Sequence, residues 1–176
     1  MPKLKDVPQF TSWGRYAPNV GWGEIEFKLT TWAERSHGVD LDPDFQRGHV
    51  WTEDKQIAYV EYCLRGGTIA RELIFNCPGW QTDFRGPMQL VDGKQRLQAV
   101  RRFMAGEIKV FGHFISEYED AEIVMRVQDF TFRVNDLSTR AEVLKLYLEL
   151  NTGGVVHTAE EISRVQTLLD LETAHS

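Results

Sequence analysis

The segment 90–100, with the sequence LVDGKQRLQAV, holds residues whose types and order could do chemistry. Asp92 and Gly93 follow an apolar pair, and a helical pattern begins directly after them. Lys94 and Arg96 fall in the first turn of that helix, where the helix dipole disfavours positive charge. A bound phosphate would reverse this preference, because the first amides of a helix have no internal partners and point towards an anion.

The same part of the chain carries local positive charge, although the net charge of the whole chain is −6. Between residues 92 and 109 two carboxylates stand against five cations: Lys94, Arg96, Arg101, Arg102 and Lys109. Arg offers a planar fork to a phosphate and Lys a mobile point charge, while Gly93 lets a ligand approach the backbone closely. The alternative makes Asp92 an ordinary helix cap and places the cations on a solvated helix face. This segment alone leaves both interpretations open.

A second segment, DPDFQRGHVW at 42–51, supports the phosphate interpretation. It places Gln46 and Arg47 between two large apolar residues, Phe45 and Trp51. We expect these two side chains to dock into the core and hold Arg47 rigidly. The alternative is that they only seal the edge of the domain. His49 lies in the same segment and is the histidine to test as a base, although a lone His is more often structural.

A third segment, NTGGVVHTAEE at 151–161, combines an amide with two glycines. Asn151 can cap a carbonyl or adopt a left-handed backbone, and Gly153 allows close approach of a ligand. By itself the segment is equally typical of an ordinary turn between two helices.

The elements that must position these segments follow from periodicity and capping signals. Apolar residues at i, i+3 and i+7 predict a helix after Gly93 that ends at Gly106. Further helices are predicted to begin at the caps Thr52, Thr139 and Thr158. Strands are predicted at 25–29, 73–75, 88–91, 108–114 and 123–134, with loops at 42–51 and 76–87.

Composition bounds the class of protein. The chain has 176 residues and 42% hydrophobic content, which fits one domain, at 24–176, after an irregular N-terminal arm at 1–23. Mixed strands and helices with short connections predict an α/β or α+β fold with a small sheet. The acidic balance argues against non-specific DNA binding by the whole surface. Two cysteines without a pairing framework, and no long apolar run, predict a cytoplasmic protein without a membrane span.

Taken in order, PDFQR-x-x-x-W, VDG-x-QR-L-x-A and L-N-T-G-G resemble the N-terminal domain of GmrSD-type modification-dependent restriction enzymes. That domain belongs to the ParB/sulfiredoxin-like superfamily, and its hallmark is Asp-Gly-Gln-Gln-Arg. The matching motifs span 42–162. The resemblance implies a ParB-like fold with a small mixed sheet and packed helices. It also implies a site that binds or hydrolyses nucleoside triphosphates with Mg²⁺.

Carried over residue by residue, the resemblance assigns roles to the matching positions. The implied catalytic residues are Asp92, Gln95, Arg96 and Arg47, with Asp92 also as the metal ligand. The implied phosphate-binding residues are Gly93, Lys94, Arg96, Gln46, Asn151 and Gly153. Lys94 departs from the hallmark, which has Gln at that place, and a lysine there would add phosphate affinity or alter the chemistry. The chain has no His-Asn-His arrangement, so the double-strand nuclease activity of the restriction enzymes is not expected.

Three functions follow as hypotheses. The first is a nucleoside-triphosphate-binding and hydrolysing enzyme, stand-alone in restriction or phage defence. The second is a sensing module that binds a nucleotide or DNA and acts through a separate effector or nuclease protein without turnover. The third is a ParB-like DNA-binding or nicking protein, with Arg101 and Arg102 contacting the DNA.

Overall fold

The computed structural model describes residues 16–46, 51–80, 82–152 and 159–174. Five strands form one mixed sheet in the order β1-β5-β3-β4-β2. They are β1 (Asn19–Gly21), β2 (Val39–Asp40), β3 (Glu72–Asn76), β4 (Met88–Asp92) and β5 (Asp129–Asn135). β3 runs parallel to β5 and antiparallel to β4, β2 runs parallel to β4, and β1 runs antiparallel to β5. The mixed α+β class is confirmed, as are the predicted strands at 73–75 and 88–91.

Six α-helices accompany the sheet in the part of the chain that is described. They are α1 (Ile25–Arg35), α2 (Glu53–Leu64), α3 (Lys94–Met104), α4 (Ala121–Val127), α5 (Arg140–Thr152) and α6 (Ala159–Ala174). Among the described residues, no helix combines the length and the apolar character needed to cross a bilayer.

Helices cover both faces of the sheet, so successive residues of a central strand belong to different hydrophobic cores. Phe75 and Leu90 lie in the larger cluster, which includes residues of α1, α2 and α3. Their neighbours Ile74 and Val91 lie in a second cluster, which is built by α5, α6 and Phe45. Side chains alternate between the two faces of a strand, so the central strands are buried on both sides.

The helix caps predicted at Thr52 and Thr139 are confirmed. Thr52 caps α2, with its hydroxyl accepting from the Lys55 amide at 3.4 Å. Thr139 and Glu142 form the predicted reciprocal box, with the Glu142 amide donating to the Thr139 hydroxyl at 3.2 Å and the Thr139 amide donating to the Glu142 carboxylate at 3.0 Å. Thr158 lies outside the described residues.

The predicted strand at 25–29 is wrong, because this segment begins α1. Ile25, Phe27 and Leu29 do alternate with polar residues, but Phe27 is 76% exposed. The buried residues are Ile25, Leu29 and Trp32, whose i, i+4, i+7 spacing is that of a helix face. Three alternating residues were too few to separate the two periods.

Three other boundary predictions are also wrong. The segment 108–114 contains a tight turn between Val110 and His113, whose amides and carbonyls bond to each other at 2.9 and 3.1 Å. Residues 121–127 form α4, and only the following part of the predicted strand at 123–134 is extended. Asn19–Gly21, predicted as part of an irregular arm, pairs with β5 as an edge strand of the sheet.

Both cysteines are buried, which leads to a chemical prediction. Burial raises the pKa of Cys77 to about 11 and also raises the pKa of Cys63 above its usual value. A thiol reacts as its thiolate, so the native protein should react with a thiol-specific reagent at pH 8 at least about a hundredfold more slowly than the denatured chain. Rapid labelling of either cysteine without denaturant would contradict this.

Candidate functional site

The segment 88–104 forms the strand, turn and helix that the sequence predicted. β4 ends at Asp92, and Gly93 precedes α3 with φ 102° and ψ 8°. Within the described parts of the chain, no side chain caps the helix. The interpretation of Asp92 as an ordinary cap is therefore wrong, because Gly93 occupies the cap position. The first amides of α3 have the orientation that favours an anion.

Arg96 ties this turn to the neighbouring strand. One terminal nitrogen of its guanidinium lies 2.7 Å from a carboxylate oxygen of Asp92 and 3.0 Å from the carbonyl oxygen of Glu72. The side chain is only 20% exposed. Its Nε atom is buried and has no hydrogen-bond partner among the residues that the structure describes. An unpaired buried donor of a charged group is unfavourable, so this atom is a candidate for contact with an acceptor outside those residues.

Lys94 forms an ion pair with Asp42, at the start of the segment 42–46. The Lys94 side chain is 16% exposed, whereas that of Asp42 is 72% exposed. The alternative that places Lys94 and Arg96 on a solvated helix face is therefore wrong, since both side chains are largely buried. Each first-turn cation has a carboxylate beside it, and those carboxylates offset the unfavourable interaction with the helix dipole.

The two glutamines of the motifs bind backbone groups. The side-chain oxygen of Gln95 accepts from the Trp51 amide at 3.1 Å. The Gln46 side chain is buried and donates to the carbonyl oxygen of Leu90. The two contacts hold Gln46 beside β4 and Trp51 beside the start of α3. The roles expected of these glutamines, phosphate binding for Gln46 and positioning of water or phosphate for Gln95, stay predictions.

Phe45 and Trp51 dock into the two cores, as predicted. Phe45 is 1% exposed and packs edge-on against Tyr147 of α5, with ring centroids 5.4 Å apart. Trp51 is half-buried and packs against Tyr59 of α2 at 5.5 Å. Arg47 and His49, which these anchors flank in the sequence, lie outside the described residues.

Asn151 lies in the last turn of α5. Its amide nitrogen donates to the Tyr147 carbonyl at 2.6 Å, so it caps a carbonyl in its own helix. Its described contact does not bring it to the N-terminus of α3. The link between the two is indirect, through the packing of Tyr147 against Phe45. Gly153 lies outside the described residues.

Arg101 and Arg102 are both engaged by acidic side chains. Arg101 binds Glu26 through two nitrogens, at 2.6 and 3.0 Å. Arg102 binds Glu53 at 2.9 Å and Glu107 at 3.1 Å. These ion pairs lower the local positive charge that would attract a DNA backbone. The structure therefore gives no added support to the predicted DNA contact.

The carboxylates do not form a metal site of their own among the residues that the structure describes. No group of three or more His, Cys, Asp or Glu side chains is arranged to hold an ion there. Asp92, the predicted magnesium ligand, lies 2.7 Å from the Arg96 guanidinium. That positive charge disfavours a cation at the same oxygen. Any Mg²⁺ would depend on phosphate oxygens and water for most of its ligands.

A cavity of about 420 Å³ lies along α3 next to Lys94. Its apolar lining comes from Leu41, Leu90 and Leu97. Its polar lining comes from Asp42, Lys94, Gln98 and Arg101. An apolar wall with a few polar groups is typical of a small-molecule site. Sequence reasoning missed Gln98, although its i+4 spacing from Lys94 could have indicated the shared helix face.

Comparison with known proteins adds no assignment. No protein-family model matches the chain, and neither the curated proteins nor the solved structures give a significant match.

Proposed function

We propose that this protein binds a nucleoside triphosphate, with the phosphates at the N-terminus of α3 and the nucleoside in the cavity beside Lys94. The observation that carries the proposal is the start of α3. There, Gly93 is the cap residue, no side chain of the described residues caps the first amides, and Lys94 and Arg96 lie in the first turn. The resemblance of the Asp-Gly-x-Gln-Arg segment to restriction-enzyme domains supports the same ligand class.

Asp42 and the phosphates would compete for Lys94. A triphosphate carries several negative charges, so it is the stronger partner of a lysine at a helix N-terminus. Binding would then displace the exposed Asp42 carboxylate while the partly buried lysine stays in place. The lining of the cavity runs from Lys94 to Arg101, about two helical turns along α3. This length suits a nucleoside that follows its phosphates along the helix.

Hydrolysis is the less supported part of the proposal. Asp92 and Gln95 are the residues that would orient an attacking water, as Gln does in other phosphoryl-transfer sites. However, Asp92 is paired with Arg96, and the Gln95 oxygen accepts from the Trp51 amide. Binding without turnover, as in a sensing module that acts through a partner protein, is therefore the second candidate. Mg²⁺ would enter with the nucleotide, and no step is assigned to it.

The test uses two substitutions with opposite expected effects. Lys94→Met should weaken nucleotide binding about tenfold or more, because it removes a charge at the phosphates. Asp42→Asn should tighten binding about threefold, because it removes the competing carboxylate. Affinity would be measured by calorimetry with ATP, GTP, CTP and UTP, with and without Mg²⁺, alongside phosphate release. Lys109→Met is the matched control, since Lys109 lies over the Phe114 ring.

The outcomes separate the candidates. Binding with phosphate release supports the enzyme, and binding without release supports the sensing module. The proposal fails if no nucleotide binds at millimolar concentration. It also fails if Lys94→Met and Lys109→Met bind equally well.

A further inference from the structure

Arg164 of α6 contacts the segment that precedes Arg47. Its guanidinium donates to the carbonyl oxygens of Phe45 at 3.2 Å and of Gln46 at 3.3 Å. These two carbonyls are the last ones described before residue 47. Both contacts are made by one terminal nitrogen, which carries two hydrogens and can therefore donate to two adjacent acceptors. Arg164 therefore fixes the backbone where the chain leaves the second core.

The neighbouring contacts fix the same segment from other sides. The Gln46 side chain donates to Leu90 of β4, and the Trp51 amide donates to Gln95 of α3. The residues on either side of 47–50 are thus bound to elements that build the candidate site. The contact made by Arg164 comes from α6, the last described helix.

A second arginine joins the same helices to this segment. Arg140, at the start of α5, lies 2.8 Å from the Asp44 carboxylate and 3.1 Å from that of Glu172 on α6. Its hydrogen bond to Asp44 lowers the pKa of that carboxyl group. The segment 44–46 is therefore held by α5 and α6 together, and the packing of Phe45 against Tyr147 adds an apolar contact.

We infer that Arg164 is a positioning residue, through which α6 sets the placement of residues 44–46 beside β4, next to the N-terminus of α3. The effect on the segment is independent of any ligand. The effect on nucleotide affinity rests on the proposed function. Arg164 would act through the segment and would not touch the nucleotide.

The experiment compares Arg164→Gln, Arg164→Lys and the control Arg85→Gln with the wild type. Arg85 pairs with Asp83 in the loop after β3, so its loss should not affect the segment. Hydrogen exchange of the Gln46 and Trp51 amides would be followed by NMR. The Gln46 amide donates to a backbone carbonyl three residues earlier, and the Trp51 amide donates to the Gln95 side chain. Nucleotide affinity would be measured on the same samples.

We expect Arg164→Gln to speed exchange of both amides about tenfold and to weaken nucleotide binding about threefold to tenfold. Arg164→Lys should restore part of both, because an ammonium can donate to one of the two carbonyls. A general loss of stability would instead speed exchange equally in the central strands, so amides of β3 serve as an internal reference.

The results distinguish the two proposals. If the wild type binds nucleotide and Arg164→Gln matches Arg85→Gln in both exchange and affinity, the positioning role is overturned. If exchange becomes faster while affinity stays unchanged, the segment is held by Arg164 but does not serve the nucleotide site, which also overturns the inference. If the wild type binds no nucleotide, the proposed function fails, and the exchange data alone decide whether α6 positions the segment.

Discussion

Gly93→Ala should destabilise the protein by about 3 kcal/mol or more. A side chain at φ 102° is strained by itself. An added Cβ would also lie 2.4 Å from a methyl carbon of Leu73, and Leu73 is fully buried. The methyl has no space to move into, so β3 or the start of α3 would have to shift. Urea unfolding followed by circular dichroism would measure the loss.

Gly106→Ala is the matched control at the other end of the same helix. Gly106 also has a positive φ, of 70°, but a Cβ there would meet nothing within 4 Å. Its cost should be about 1 kcal/mol, from backbone strain alone. Equal losses for the two variants would show that contact with Leu73 is not what requires glycine at 93. They would leave the positive φ of Gly93, which Gly106 shares, as the reason for glycine there.

Asn76→Ala should cost about 2–4 kcal/mol. Asn76 is fully buried at the end of β3, where its side-chain oxygen accepts from the Leu137 amide at 2.8 Å and its nitrogen donates to the Leu137 carbonyl at 3.2 Å. Alanine would leave both backbone groups of Leu137 buried without these partners. Since Leu137 precedes α5, we also expect α5 to lose protection from hydrogen exchange.

Asn135→Ala provides the comparison, because Asn135 is equally buried but makes fewer side-chain hydrogen bonds with the described residues. Its nitrogen donates to the Phe75 carbonyl at 3.0 Å, and its oxygen has no hydrogen-bond partner in the described part of the protein. Removing it should cost about 1–2 kcal/mol in the same urea experiment. A larger loss at Asn135 than at Asn76 would contradict the role given to the Leu137 contacts.

Local signals predicted the elements that carry the site. The Asp-Gly turn, the apolar spacing of Leu97, Val100 and Met104 and the glycine at 106 located α3 correctly. Capping residues likewise placed the start of α2 and α5. The secondary-structure predictions were wrong at α1 and α4, where apolar residues at alternate positions in a short window resembled the pattern of a strand. Tertiary packing decided these cases, and it is not visible in a short window.

The residue types at the site were predictable, but their partners were not. Lys94 was expected to meet a ligand, yet its described partner is Asp42, which is brought close by the pairing of β2 with β4. The sequence pattern does not indicate a role for Arg164, because its acceptors are backbone carbonyls more than a hundred residues away. Long-range contacts of this kind depend on strand order, which the sequence pattern did not specify.

The strand order also has a consequence for how the chain acquires its structure. Of the described strands, β3 and β4 are the pair that are neighbours both in the chain and in the sheet. β3 cannot pair with its parallel partner β5 until β5, which begins at Asp129, has been synthesised, and β1 in turn pairs with β5. During synthesis, the apolar residues Leu73–Phe75 would thus expose an unpaired edge until most of the chain has emerged. Such topologies fold slowly, and the period before β5 docks is when the chain is most prone to aggregate.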